Sequence, residues 1–264
     1  MELLGEKALV ASPSAPNVLR PQLFRDALAR LAGPAGQRRN AALVIPDYAV
    51  RMAVLDFQDF PTKEEDRIAL LRFRLRKSVP FHIEEANLSY AIQVQEPKHT
   101  EVLAVAIARP ILEDYERLFT EHGFRVGLVT PSLLATIPLF PESKDGLTLI
   151  VKVAGLAVSV LLIEGDRVRL VRSVDLSQTE APPDVPQSIL AEDLVGLAQQ
   201  TAAFAEDQIG ARIRRVLVCG LKQAAYTQLL TRELDLDIEH VESRFGAASE
   251  YAAGLLGLLE QYPS

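Results

Sequence analysis

Apolar positions along the chain switch between a two-residue and a roughly 3.6-residue period, and the switches mark out its elements. Lys7–Ser12 reads as a short strand, Pro21–Leu31 as an amphipathic helix opened by proline, and Ala41–Ile45 as a strand ended by Pro46. Arg51–Phe57 reads as a strand, Lys63–Val79 as a helix, and Leu88–Val94 and Glu101–Ala108 as strands. Pro110–His122 is a helix closed by Gly123, followed by a strand over Arg125–Val129 and a short helix from Pro131. Between the first helix and the next strand, Gly33–Asn40 is loop by composition.

A second block opens after the Pro138–Gly146 loop. The apolar run Leu147–Ile163 is as long as a short membrane span, but Lys152 and Gly155 interrupt it. It reads as two strands, about 147–153 and 156–163. The turn Glu164-Gly165-Asp166 then leads to a third at 167–174, where Val168, Leu170 and Val174 alternate with arginines. The Pro-rich loop Ala181–Pro186 precedes a long helix with Leu190, Leu194, Leu197, Thr201 and Phe204 on one face. Strand Arg215–Cys219, helix Gln223–Leu234, strand Ile238–Val241 and helix Ala247–Leu259 complete the block. Its order is βββαβαβα. The first block has the same order without its opening strands and with an α+β unit inserted at about 47–108. Two copies of this order form the layout of the actin-like ATPase superfamily, a two-lobed α/β fold related to ribonuclease H. The expected lobes are residues 1–140 and 141–264, the first lacking its opening hairpin.

Composition narrows the function classes. With 48% hydrophobic and 24% charged residues, the 264-residue chain can bury a core and is not disordered by composition. The lone Cys219 excludes a disulfide framework and Cys-cluster metal sites and implies a reducing compartment. No secretory signal pattern opens the chain, and Glu2 stands where myristoylation needs glycine. The formal charge of −7 argues against a general nucleic-acid binder, although residues 1–80 are net basic. No phosphate-loop, dinucleotide, nucleophile-elbow or zinc-protease motif occurs. His82, His99, His122 and His240 are far apart in sequence, so no metal site is expected, and Cys219 reads as a small core residue.

The segment Arg67–Lys77 can be read two ways, because Arg72, Arg74 and Arg76 alternate with Leu71, Phe73 and Leu75 as in a strand. Its acidic start at Glu64-Glu65-Asp66 and its basic end favour a helix. Ile68, Leu71, Leu75 and Val79 form one apolar stripe, with Leu70 and Phe73 on the other side. Such a helix is either sandwiched in the core or presents one side to a partner. In the second case Phe73 and Phe81 are apolar anchors, and Arg72, Arg76 and Lys77, next to Pro80, read acidic or carbonyl groups of a peptide.

The stretch Lys77-Ser78-Val79-Pro80-Phe81-His82-Ile83-Glu84-Glu85-Ala86-Asn87-Leu88-Ser89-Tyr90 resembles a characteristic segment of the PilM family of type IV pilus assembly proteins. Agreement continues at Ala42–Pro46, Val102–Ala106, Ile111–Tyr115, Gly123–Pro131 and Val216–Gly220. The resemblance spans roughly residues 5–260. It implies an actin-like component of a type IV pilus or related secretion machine, cytoplasmic and peripheral to the inner membrane. Members bind the short cytoplasmic tail of a bitopic partner, PilN, beside the inserted subdomain, and usually bind ATP with magnesium in a central cleft.

Against that family pattern, the nucleotide motifs are altered. The first phosphate hairpin has no counterpart before Lys7. In the second repeat Lys152-Val153-Ala154, with Gly155 next, stands where the family has Asp-Ile-Gly or Asp-Leu-Gly, so an ammonium replaces the carboxylate that helps hold magnesium. The adenosine turn Cys219-Gly220-Leu221-Lys222 keeps one glycine where two or three are usual. The helix Leu190–Gln208 lacks the basic residue often found near its middle in relatives. The expectation is a scaffold with no cofactor and no ATPase activity. The alternative is an ATP-binding protein using Lys152, Gly155 and Gly220, with the missing hairpin supplied by another chain or lost. Without its opening strands, the first lobe leaves Lys7–Ser12 as an exposed sheet edge that a homodimer or a partner's strand would cover.

Overall fold

A computed structural model describes residues 8–32, 39–140, 146–155, 157–175, 191–221 and 224–261. Two compact units divide the chain, one up to Pro131 and the other from Ser132 onward. The proline-rich loop at 181–186, Leu190 and Lys222 lie outside the described residues.

In the second unit β6 (Leu147–Ala154), β7 (Ala157–Glu164) and β8 (Arg167–Asp175) form an antiparallel meander. β9 (Ile213–Cys219) joins β6 in parallel and β10 (Ile238–His240) joins β9 in parallel, giving the sheet order β10-β9-β6-β7-β8. Central position explains the composition of β6: with neighbours on both edges and cover on both faces, every residue from Leu147 to Val153 is buried. The helix α5 (Ala191–Phe204) lays Leu194, Leu197, Ala198 and Thr201 against the sheet. The Thr201 hydroxyl donates to the Leu197 carbonyl, so the polar atom on that face is satisfied. Beyond α6 (Ala224–Leu234) and β10, a small hairpin of β11 (Glu242–Ser243) and β12 (Gly246–Ala247) precedes α7 (Ala253–Glu260). There Gly257 lets α7 meet the short helix α4 (Ser132–Ala135), since an added Cβ would lie 2.0 Å from the Ala135 carbonyl oxygen.

The first unit holds α1 (Pro21–Ala32), a parallel pair of β1 (Arg39–Ile45) and β5 (Phe124–Pro131), and α3 (Arg109–Thr120). Between β1 and α3 lies a three-stranded antiparallel sheet, β2 (Arg51–Phe57), β4 (His99–Ile107) and β3 (Asn87–Glu96) in that order, with α2 (Glu64–Leu75) packed on it. Alternation sends Val102, Ala104 and Ala106 of β4 toward α2, where Leu71 and Leu75 complete the core with Phe57 and Ile83. The pair β1 and β5 stands to α3 as β9 and β10 stand to α6, so the helix-strand-helix-strand part of the repeated order read from the sequence is present in both units.

Three expectations need correction. Over the described part of Lys7–Ser12 there is no strand: Leu9 makes a single bridge to Val18, and the segment folds around Asn17 instead. Asn17, fully buried, accepts from the Ser12 amide through Oδ1 at 2.9 Å and donates through Nδ2 to the Tyr115 hydroxyl at 3.0 Å. The sheet edge proposed for dimerisation is therefore not at this segment. Second, α2 stops at Leu75 rather than Val79, because Pro80 disfavours helix at Val79 and Ser78 closes the end, donating through both its amide and its hydroxyl to the Leu75 carbonyl. Third, α7 starts at Ala253 rather than Ala247, since β12 and residues 248–252 carry contacts of their own.

Candidate functional site

Two places gather the residues singled out by the sequence. The first is the C-terminal end of α2. Leu71 and Leu75 face the subdomain sheet, and the 3.6-residue period then turns Phe73 outward, where it is 71% exposed. Arg76 and Lys77 follow on the exposed turn, joined by the exposed Pro80. Arg76 and Lys77 form no ion pair with another described residue. Arg72 turns the other way, its Nη2 donating to the Ala86 carbonyl at 3.4 Å. Phe81 is half-buried against the core of the subdomain. Of the six expected docking residues, Phe73, Arg76, Lys77 and Pro80 thus present themselves to solvent, while Arg72 and Phe81 hold the segment in shape. The sandwiched alternative for α2 does not apply to Phe73. Arg74 sits nearby with its guanidinium over the Phe57 ring at 5.1 Å and Nη1 donating to the Asp56 carbonyl at 3.1 Å.

The second place is where the β6–β7 turn, the end of β9 and residues 248–250 meet. Lys152 lies in β6 between Ser159 of β7 and Cys219 of β9, and is only 2% exposed. Gly155 holds the turn with φ of 61°, and its backbone amide donates to the carboxylate of Glu250. Gly220 ends β9 with φ of 76°, and its amide donates to the Ala248 carbonyl at 3.0 Å. A Cβ on Gly220 would lie 2.2 Å from the Val153 carbonyl oxygen and 2.8 Å from the Glu250 Cα, so the backbone itself fills the space beside this glycine. Burial pushes the Cys219 thiol up to about 12, a rise that the nearby Lys152 charge opposes. A thiol so protonated is no nucleophile.

No protein-family profile and no curated sequence relative matches the chain. Solved structures do. The PilM-PilN type IV pilus biogenesis complex superposes with a TM-score of 0.73 over 99% of this chain and 90% of that one, at 19% identity. A Bacteroides thetaiotaomicron protein with an actin-like ATPase fold and unknown function matches at 0.51 over 83% and 75%, at 11% identity. The fold is that of the actin-like ATPases. The cytoplasmic domain of EpsL, an inner-membrane component of the Vibrio cholerae type II secretion system, matches with a TM-score of 0.48 over 79% of each chain at 17% identity.

The β6–β7 turn and the end of β9 are the two places where the sequence resemblance implies a phosphate hairpin and an adenosine turn. In this chain both glycine amides are already engaged by residues 248–250. Sequence reasoning found Lys152, Gly155 and Gly220 but missed Glu250, for which 95 residues of separation leave no local signal. Among the described residues no helix is long and apolar enough to cross a membrane.

Proposed function

We propose that the chain is a PilM-like assembly component of a type IV pilus or related secretion machine, working in the cytoplasm as a docking scaffold rather than as an ATPase. Its partner is the short cytoplasmic tail of a PilN-like bitopic inner-membrane protein. The observation that carries this reading is Phe73, a large aromatic side chain left outside its own subdomain core at the cationic end of α2. An exposed aromatic beside arginine and lysine is the composition of a peptide-binding hot spot, with apolar area from the ring and charge-assisted hydrogen bonds from the cations. The engaged glycine amides and the buried Lys152 support the second half of the proposal, since an anion entering there would have to displace a carboxylate and 248–250 backbone.

The test is a titration of the full chain with a peptide of the N-terminal cytoplasmic residues of the bitopic protein encoded beside it. Saturable binding weakened at least tenfold by Phe73→Ala, and by Arg76→Glu, supports the docking role. Binding indifferent to both variants refutes this surface. A parallel titration with ATP and magnesium should be silent, and micromolar affinity lost in Lys152→Ala would restore the ATPase reading.

A further inference from the structure

A third cluster lies on the inserted subdomain, on the sheet face away from α2. We propose that Asp56, His99 and Glu101 form a binding site for a divalent transition-metal ion of the zinc class, independent of the docking role. The register builds it. β2 and β4 pair antiparallel with Asp56 directly opposite Glu101, and His99 precedes Glu101 by two residues on the same strand. Directly opposed residues, and residues two apart, project from one face of a sheet, so all three side chains share the face opposite Val102 and Ala104. One ligand atom from each, a ring nitrogen and two carboxylate oxygens, lies within 4.8 Å of both others. Two ligands of a tetrahedral zinc ion stand about 3.4 Å apart, so small side-chain rotations close the site.

Three further features fit a built site. Glu101 is 4% exposed although it faces away from the apolar core of the subdomain. Its Oε1 accepts from the Gln93 side-chain amide at 3.2 Å, and Gln93 stands at an irregularity of β3 where the pairing skips between Ile92 and Val94. A side-chain amide hydrogen-bonded to a ligand carboxylate is how outer-sphere groups fix a metal ligand. Asp56 is exposed and gives the ion an entry. Two carboxylates facing each other across a strand pair repel, and a shared cation turns that repulsion into attraction.

The donor set selects the ion. One imidazole with two carboxylates suits zinc, manganese or iron rather than calcium or magnesium, which prefer oxygen cages, and three protein ligands leave a position for water. A sequence reading misses the cluster because it begins the strand at Glu101 and gives no register between β2 and β4.

Calorimetric titration of the full chain with zinc chloride should show one ion bound per chain with micromolar affinity. The affinity should fall at least tenfold in His99→Gln and in Asp56→Asn, with His240→Gln unchanged. Cobalt(II) gives a second readout that does not depend on heat: its visible absorption should develop in wild type and be lost in His99→Gln. Circular dichroism verifies that each variant is folded, and Asp56→Asn, being exposed, keeps the test decisive if His99→Gln unfolds. Absence of one-to-one binding overturns the proposal. So does zinc uptake that is equal in wild type and both variants, which would mark adventitious surface binding.

Discussion

The carboxylate of Glu250 accepts a hydrogen bond from the backbone amide of Gly155, at the turn between β6 and β7. A side chain on the segment before α7 thereby occupies the amide of this turn. Glu250→Ala should cost about 1.5–3 kcal/mol, the range for a hydrogen bond to a charged group, read from urea unfolding. The same variant should gain no ATP affinity, because the backbone of residues 248–250 still closes on Gly220. Nucleotide binding that emerges in Glu250→Ala would show the carboxylate to be a gate rather than a fixture.

Gly220→Ala tests the closure itself. The new methyl meets the Val153 carbonyl and the Glu250 backbone at a residue whose φ is positive. Backbone has little room to yield, so a loss of about 3 kcal/mol is expected. A change below about 1 kcal/mol in chemical denaturation would mean that the junction is loose.

Phe73 and Phe81 should separate binding from stability. Truncation of the exposed Phe73 should leave stability within about 0.5 kcal/mol, whereas Phe81→Ala removes a half-buried ring from the subdomain core and should cost about 1–3 kcal/mol. Peptide titration and thermal unfolding of the two variants should therefore rank them in opposite orders.

Acid should weaken one ion pair in the second unit. Arg215 Nε donates to Glu239 Oε1 at 2.6 Å and Nη2 to the other carboxylate oxygen. This hydrogen bond from Arg215 holds the Glu239 carboxyl below its ordinary value of 4.5. A carboxyl depressed in the folded state contributes stability above its unfolded pKa and loses it as pH falls through the folded one. The pair is partly solvated, so Glu239→Gln should cost less than about 1 kcal/mol at pH 7. The difference between wild type and variant should therefore shrink as pH falls below 4.5 and through the lowered folded value, as unfolding measured at pH 3 and 7 will show.

Alkali should lower stability as well. Burial raises Cys219 and Tyr115 each to about 12, from ordinary values of 9.0 and 10.0. Between those values and 12 the unfolded chain has released protons that the folded chain still holds, so stability falls as pH rises from about 9. The Cys219 thiol should accordingly resist a disulfide reagent at pH 8 in the native protein and react at once in denaturant. Rapid native labelling would contradict its burial.

The local pattern made most elements legible. Arg51–Phe57 was readable to the residue because it is a short, mainly apolar run bounded by the turn residues Pro46 and Pro61, and α1 because a proline opens an amphipathic stripe. The basic end of α2 was readable for the same reason: charge and period sit within a few residues of each other. Helix ends were less so, as the early stop of α2 shows, since Pro80 and Ser78 act on backbone geometry that a hydrophobic stripe does not report.

By itself, then, the sequence determined the repeated order of strands and helices, the inserted subdomain and the cationic end of α2. These depend on interactions between residues a turn or a pleat apart. Tertiary structure alone decided that Phe73 faces outward while Phe81 packs inward, that Glu250 meets Gly155, and that Asp56, His99 and Glu101 converge. Each of those follows from strand register or from loop closure over tens of residues, and neither leaves a periodic trace in the chain.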